Sequence, residues 1–402
     1  MLAFLQSAVV HVAPFLLVIS LIVTVHELGH LLTAKACGVA IDCFSIGFGR
    51  ALVSWHDRSG MEWRIGWLPL GGYVRFSGDE SIASLPDPNN LAALRQEIVA
   101  REGLGAESNY LPFKPLWQRA LIVLAGPAAN FILGIVLFAA FFMAFGRPVS
   151  SNRIAEVIPA GAAARAGFQA GDVVLRADSK PIHAFEDLQF YVQYRGGVPI
   201  DFTVMRNGRI LHLTARPDTR QADSAFGGKQ DVGVLGLAAR AGGQTPVGPL
   251  RAVGMGVQKT WDVTVTTLFY MGRIITGQVG ADQLHSFVGI AVASGSMTQQ
   301  AVDQARSAGV SWLITVADVL VQMAALLSVS MGILNLLPIP ILDGGHLLSF
   351  AYEAVARRPP AAAIQAAGHR AGLALLVGLM LFATWNDLGR QKVFLFFGSL
   401  FS

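Results

Sequence analysis

VVHVAPFLLVISLIVTVHELGHLL, from Val9 to Leu32, is an apolar run that carries His26-Glu27-Leu28-Gly29-His30 near its end. The run exceeds the roughly 20 mostly apolar residues that a helix needs to cross a bilayer. On a helix, positions i and i+4 share a face, so both imidazoles can reach one metal ion while Glu27 sits beside them to handle protons. With 9 histidines in 402 residues and as few glutamates, about 0.005 such HExxH matches are expected by chance. Burying ionisable groups in a membrane helix costs several kcal/mol unless they pair or coordinate, which marks them as a functional site. The plainer alternative is that they lie at the cytoplasmic end of the helix and touch water.

Three further stretches are long and apolar enough to span: Ala120 to Phe145, Trp312 to Leu337 and, more weakly, Ala361 to Trp385. Composition agrees. The chain is 53% hydrophobic and 14% charged, against about 25% charged for soluble domains. An ordinary cytosolic enzyme is thereby excluded. The formal charge of +4 comes from 30 scattered Lys and Arg with no run of five, so a nucleic-acid partner is not expected. Cys37 and Cys43 could close at most one bridge and are expected as free thiols.

Lys35, Lys114 and Arg119 flank the first connection, and Arg357, Arg358 and Arg370 the third, which places both on the cytoplasmic side. No Lys or Arg precedes Lys35, so the first segment lacks a signal-peptide n-region and is expected to stay attached. Residues between the second and third spans then lie outside. The resulting expectation is a polytopic α-helical membrane protein of about four transmembrane helices. It runs as a first span (1–34), a cytoplasmic loop with a membrane-associated β-hairpin (35–116), a second span (117–146) and an extracytoplasmic α+β domain (150–240). An amphipathic brace helix follows (247–280), able to lie on membrane lipid, then a third span (312–337), a loop (338–360), a fourth span (361–386) and a tail (387–402). In the hairpin loop, Gly71 and Gly72, next to Tyr73, allow close backbone approach. Strands of Phe44 to Val74 leave an edge that a further extended segment could join.

A catalytic zinc usually takes three protein ligands and leaves a fourth position open. The best candidate for the third is Asp343, in NLLPIPILDGGH (Asn335 to His346) directly after the third span. The prolines end the helix and the glycines let the chain turn back with a carboxylate toward the bundle. Alternatively, Asp343 caps the following helix. Gly126, Pro127 and Asn130 read as packing residues of the second span, with Asn130 able to bond across helices; the alternative is a contact with a bound molecule.

HELGH and NLLPIPILDGGH, with AGPAAN (Ala125 to Asn130), LPLGGYVRF and GPLRA through RIITG in the same order, resemble the site-2 intramembrane metalloproteases of the bacterial regulator-of-sigma-E type. By that resemblance, His26, His30 and Asp343 bind one Zn2+, Glu27 is the general base, and Asn335 is a polar contact for substrate or oxyanion. Gly71, Gly72 and Tyr73 are taken with it as substrate-binding positions. PAGAAARAGFQAGDVV makes the external region similar to a single PDZ domain, which would capture a peptide by strand addition or exclude bulky ectodomains by size. The resemblance implies an endopeptidase of the bacterial inner membrane that cuts transmembrane proteins of the anti-sigma factor type, with its active site toward the cytoplasm and the PDZ-like domain in the periplasm. Competing readings are a membrane metal-ion transporter and an inactive PDZ scaffold.

Overall fold

A computed structural model of the protein describes residues 2–78, 88–148, 151–223, 229–239, 244–278, 287–309 and 311–390. In chain order the elements are α1 (Leu2–Ala36), β1 (Ile41–His56), β2 (Glu62–Phe76), α2 (Pro88–Glu102) and α3 (Leu116–Phe145). Then come β3 (Arg147–Pro148), β4 (Ile154–Val157), α4 (Ala162–Arg165), β5 (Val173–Ala177), β6 (Lys180–Pro181) and α5 (Phe185–Gln193). Strands β7 (Ile200–Arg206), β8 (Arg209–Ala215), β9 (Asp218–Asp223), β10 (Lys229–Val234), β11 (Leu237–Ala239) and β12 (Gln244–Thr245) follow. The chain continues with α6 (Pro249–Ile275), α7 (Phe287–Ala308), α8 (Trp312–Asn335), α9 (Asp343–Ala356) and α10 (Ala362–Arg390).

Four helices among the described residues are long and apolar enough to cross a membrane: Ala13–Ala36, Leu116–Phe145, Trp312–Asn335 and Ala363–Asp387. They fall on the four stretches expected from composition, with ends shifted by a few residues. Most of the tail expected over 387–402 lies outside the described residues.

The chain divides into two compact units, Met1–Phe138 with Ser286–Asn386, and Ala139–His285 with Asp387–Ser402. In the first, α1 packs against α7 and α8, and Val18 and Ile22 of α1 meet Met323 and Ala324 of α8 in a fully apolar contact. Helix α7 was not anticipated. Ser, Gln and Asp dilute its hydropathy, so the order of residues does not separate it from the external region. Its place against α1 and α8 depends on contacts distant in sequence.

Strands β1 and β2 form a hairpin that folds back on itself. Cys43 to Ile46 face Gly72 to Arg75 on one side and Glu62 to Ile65 on the other, and Glu62 to Ile65 face Val53 to His56 in turn. Four short ribbons result from two long strands. Their base is anchored by Phe44, Met61 and Phe76, which pack with Leu31 and Ala34 of α1 and Ile122 of α3. Ser20 donates to the carbonyl of Pro69 at 2.5 Å. The hairpin is therefore fastened beside the turn of α1 that carries the histidines. Ile65 lies between two ribbons rather than at an edge.

The second unit contains a sheet in the order β6, β5, β7, β8, with β4 paired to β11 and β9 to β10. Its core includes Ile154, Phe168, Val174, Ile200, Phe202 and Val204. Asp172, fully buried, accepts from Arg206 Nε and Nη2 at 2.7 and 2.8 Å and from the backbone N–H of Gln169 at 2.9 Å. Helix α6 is tied to this unit by Arg273, which donates to the carbonyls of Tyr194 and Gly196, and by the Lys180–Asp262 ion pair. Leu250, Trp261 and Leu268 on α6 are exposed.

Candidate metal centre

The first unit brings together three side chains from opposite ends of the sequence. His26 and His30 lie one turn apart on α1, both buried, as the i, i+4 spacing requires. Asp343 stands in the first turn of α9, where a negative charge also suits the helix dipole. It reaches this point because α8 ends at Asn335 before Pro338 and Pro340, and because Gly344 and Gly345 admit a close return. A Cβ on Gly344 would stand 2.2 Å from the carbonyl oxygen of Leu337, and one on Gly345 would stand 2.3 Å from that of Ile339. Any larger residue would push the carboxylate away.

His26 Nε2 and His30 Nε2 are 3.1 Å apart, and Asp343 Oδ2 lies 3.2 Å from the first and 3.7 Å from the second. Tetrahedral ligands held roughly 2.0–2.2 Å from a zinc ion stand about 3.3–3.6 Å from one another. The triangle has that size. Asp343 Oδ2 is buried and, despite its closeness to both rings, makes no hydrogen bond. Among the described residues these three form a group that could hold a metal ion, with the candidate ligand atoms all within 4.8 Å of one another. Two nitrogens and one carboxylate oxygen, arranged to leave a position open, are a donor set that fits catalytic zinc.

The surroundings orient each ligand. His30 Nδ1 donates to the carbonyl of Ile122 at 2.8 Å, which leaves its Nε2 lone pair facing Asp343. Gly126, one turn further along α3, has no room for a side chain: a Cβ would meet His30 Nε2 at 2.3 Å and His26 Cε1 at 2.8 Å. The side-chain amide of Asn130 lies 3.2 Å from His26 Nδ1, and that of Asn335 lies 3.5 Å from His26 Nε2. Asn335 thus sits at the site. Gly126 permits the close helix contact that its size suggests, and both it and Asn130 stand directly against the two imidazoles. The signals in the sequence are an amide within an apolar helix and the AGPAAN stretch (Ala125 to Asn130) that shares in the family resemblance.

Glu27 points to the hairpin. Its carboxylate accepts the backbone N–H of Val74, and a Cβ on Gly72 would lie 3.6 Å from Glu27 Cγ and 2.6 Å from the carbonyl oxygen of Ser45. Gly71 and Gly72 are buried and Tyr73 half-buried. Since Val74 turns its N–H toward Glu27, Gly72 turns its backbone the same way. This strand edge runs alongside the acid.

The model for peptidase family M50 matches residues 14–379. The chain is 50% identical over 388 residues to Metalloprotease MmpA of Caulobacter vibrioides, covering 96% of this chain and 97% of that protein. It is 30% identical over 443 residues to Zinc metalloprotease RasP of Geobacillus kaustophilus, covering 96% and 98%.

Proposed function

The chain belongs to peptidase family M50 and is a multi-pass membrane zinc metalloendopeptidase, and we propose that it cuts transmembrane segments of single-pass membrane proteins of the anti-sigma factor type. His26, His30 and Asp343 hold the ion. Bound zinc supplies a Lewis acid for the scissile carbonyl and lowers the pKa of a coordinated water to about 7. Glu27 takes a proton from the attacking water on its carboxylate and returns it to the nitrogen of the leaving amine. Asn335, beside His26, offers its amide N–H groups to the carbonyl oxygen as negative charge develops there. The observation that carries this reading is the triangle of Nε2, Nε2 and Oδ2 atoms set in the turn of α1 that also bears Glu27.

A helical substrate hides its peptide groups in its own hydrogen bonds, so a few residues must unwind and find other partners. The edge at Gly72 and Val74 supports a strand-addition role for Gly71, Gly72 and Tyr73. In the second unit, the β5–β7–β8 sheet with α4 and α5 supports a PDZ-like domain, placed in the periplasm and either capturing an extended peptide or excluding bulky ectodomains. The exposed Leu250, Trp261 and Leu268 support contact of α6 with lipid. The family resemblance supports location in a bacterial inner membrane, and the loop charges support a metal centre toward the cytoplasm.

The test is cleavage of a model transmembrane substrate in detergent by wild type and Glu27→Gln, with zinc content measured on both. The variant is expected to keep zinc and lose cutting; equal cutting by both would end the assignment.

A further inference from the structure

The two imidazoles are served by one face of α3 in different ways. Ile122, Gly126 and Asn130 follow at intervals of four. The first offers a carbonyl to His30, the second makes room for both rings, and the third presents a side-chain amide to His26. A carbonyl can only accept, so His30 must carry its proton on Nδ1. An amide can donate or accept. We propose that Asn130 is a positioning residue that accepts a hydrogen bond from His26 Nδ1–H and so holds the ring in the tautomer whose Nε2 lone pair faces Asp343 and His30.

Burial and partners support this role over packing alone. Asn130 is fully buried in an apolar helix, where an amide is costly unless it is used. The tie between α3 and α8 is made by its backbone, whose carbonyl accepts from Ser328 Oγ at 2.8 Å. The side chain is not needed for that. One end of the amide, Oδ1, has no partner with the amide nitrogen turned to His26, and turning the amide over only exchanges which end is unpartnered. The choice therefore falls to His26. With the nitrogen facing it, Nδ1 would have to be bare and the proton would sit on Nε2, pointing at His30 Nε2 only 3.1 Å away and closing the position to an ion. With the oxygen facing it, both Nε2 atoms are bare. A carbonyl for one histidine and an amide oxygen for the other is the usual way in which a zinc ligand is fixed from behind.

This inference rests on the metal centre proposed above, and the experiment separates the two. The full chain is purified in detergent, stripped with a chelator and titrated with zinc against a competing fluorescent indicator, as wild type, Asn130→Leu, Asn130→Asp and His30→Ala. Asn130→Leu is expected to weaken zinc binding about 10- to 100-fold, and Asn130→Asp, which can only accept, to bind at least as tightly as wild type. Leucine at wild-type affinity, or aspartate weakened tenfold or more, overturns the role of Asn130. Should the leucine variant fail to fold, the aspartate variant decides alone. Wild-type affinity in His30→Ala would instead remove the metal centre itself.

Discussion

Two groups of buried polar side chains in this molecule look alike in composition and differ in how they are satisfied. Asp172, in the second unit, is fully buried, and its two oxygens are taken by Arg206 and the backbone of Gln169. Every strong acceptor there faces a donor. In the first unit, His26 Nε2, His30 Nε2 and Asp343 Oδ2 converge within 3.7 Å, and Asp343 Oδ2 has no hydrogen bond. The first pattern is how a domain tolerates a buried charge. The second is unfavourable by itself and fits the place for a cation proposed above, so unsatisfied convergence, rather than burial, is what sets it apart from the Asp172 ion pair.

The largest effect is expected from Glu27→Gln, which leaves the convergent atoms intact but removes the proton carrier: cleavage should fall about 10²- to 10⁴-fold with zinc content unchanged by metal analysis. Gly126→Ala should do the reverse. Its Cβ intrudes on both rings at under 3 Å, so zinc affinity should drop while the helical circular dichroism signal is kept. Retention of zinc in that variant would mean that the rings are free to move aside.

On the satisfied side, Asp172→Asn removes the charge from a paired network and should destabilise the second unit by about 2–3 kcal/mol, read as faster limited proteolysis between residues 151 and 239, with zinc binding unaffected. The same pair sets a pH dependence. Burial works against the Asp172 carboxylate, but Arg206 holds its pKa below the usual carboxylate range. Its contribution is thus present above the unfolded value of about 3.9 and is lost as pH falls toward the lower folded value. Wild type should become protease-sensitive on acidification over that window more steeply than Asp172→Asn. The smallest effect is expected from Gly72→Ala, whose Cβ would crowd the Ser45 carbonyl oxygen at 2.6 Å and so shift the strand that touches Glu27. Cleavage should slow by roughly tenfold through misplacement of the acid, with stability and zinc unchanged. Unaltered turnover would argue against the strand edge as a working part.

Much of the architecture was legible because it is written locally. Four apolar runs announce themselves by length, and HELGH places two ligands and an acid within one turn of helix. Other features were not. Helix α7 has too many polar residues to be seen as part of a bundle, yet it packs on α1 and α8. The hairpin was anticipated as strands, but its folding into four ribbons, with Ile65 enclosed and Gly72 facing the acid, depends on how β1 bends. Gly126 and Asn130 read as packing residues because nothing in the order of the chain says which neighbour a helix face will meet.

The amino-acid sequence alone determined the membrane class, the spans and the identity of the two histidines, since hydropathy and helical spacing are properties of neighbouring residues. Only the tertiary structure decided that Asp343, 317 positions beyond His26, completes the triangle, and that α3 supplies a carbonyl, a gap and an amide to hold the rings in place. Convergence of distant segments depends on how helices pack, and no local pattern encodes it.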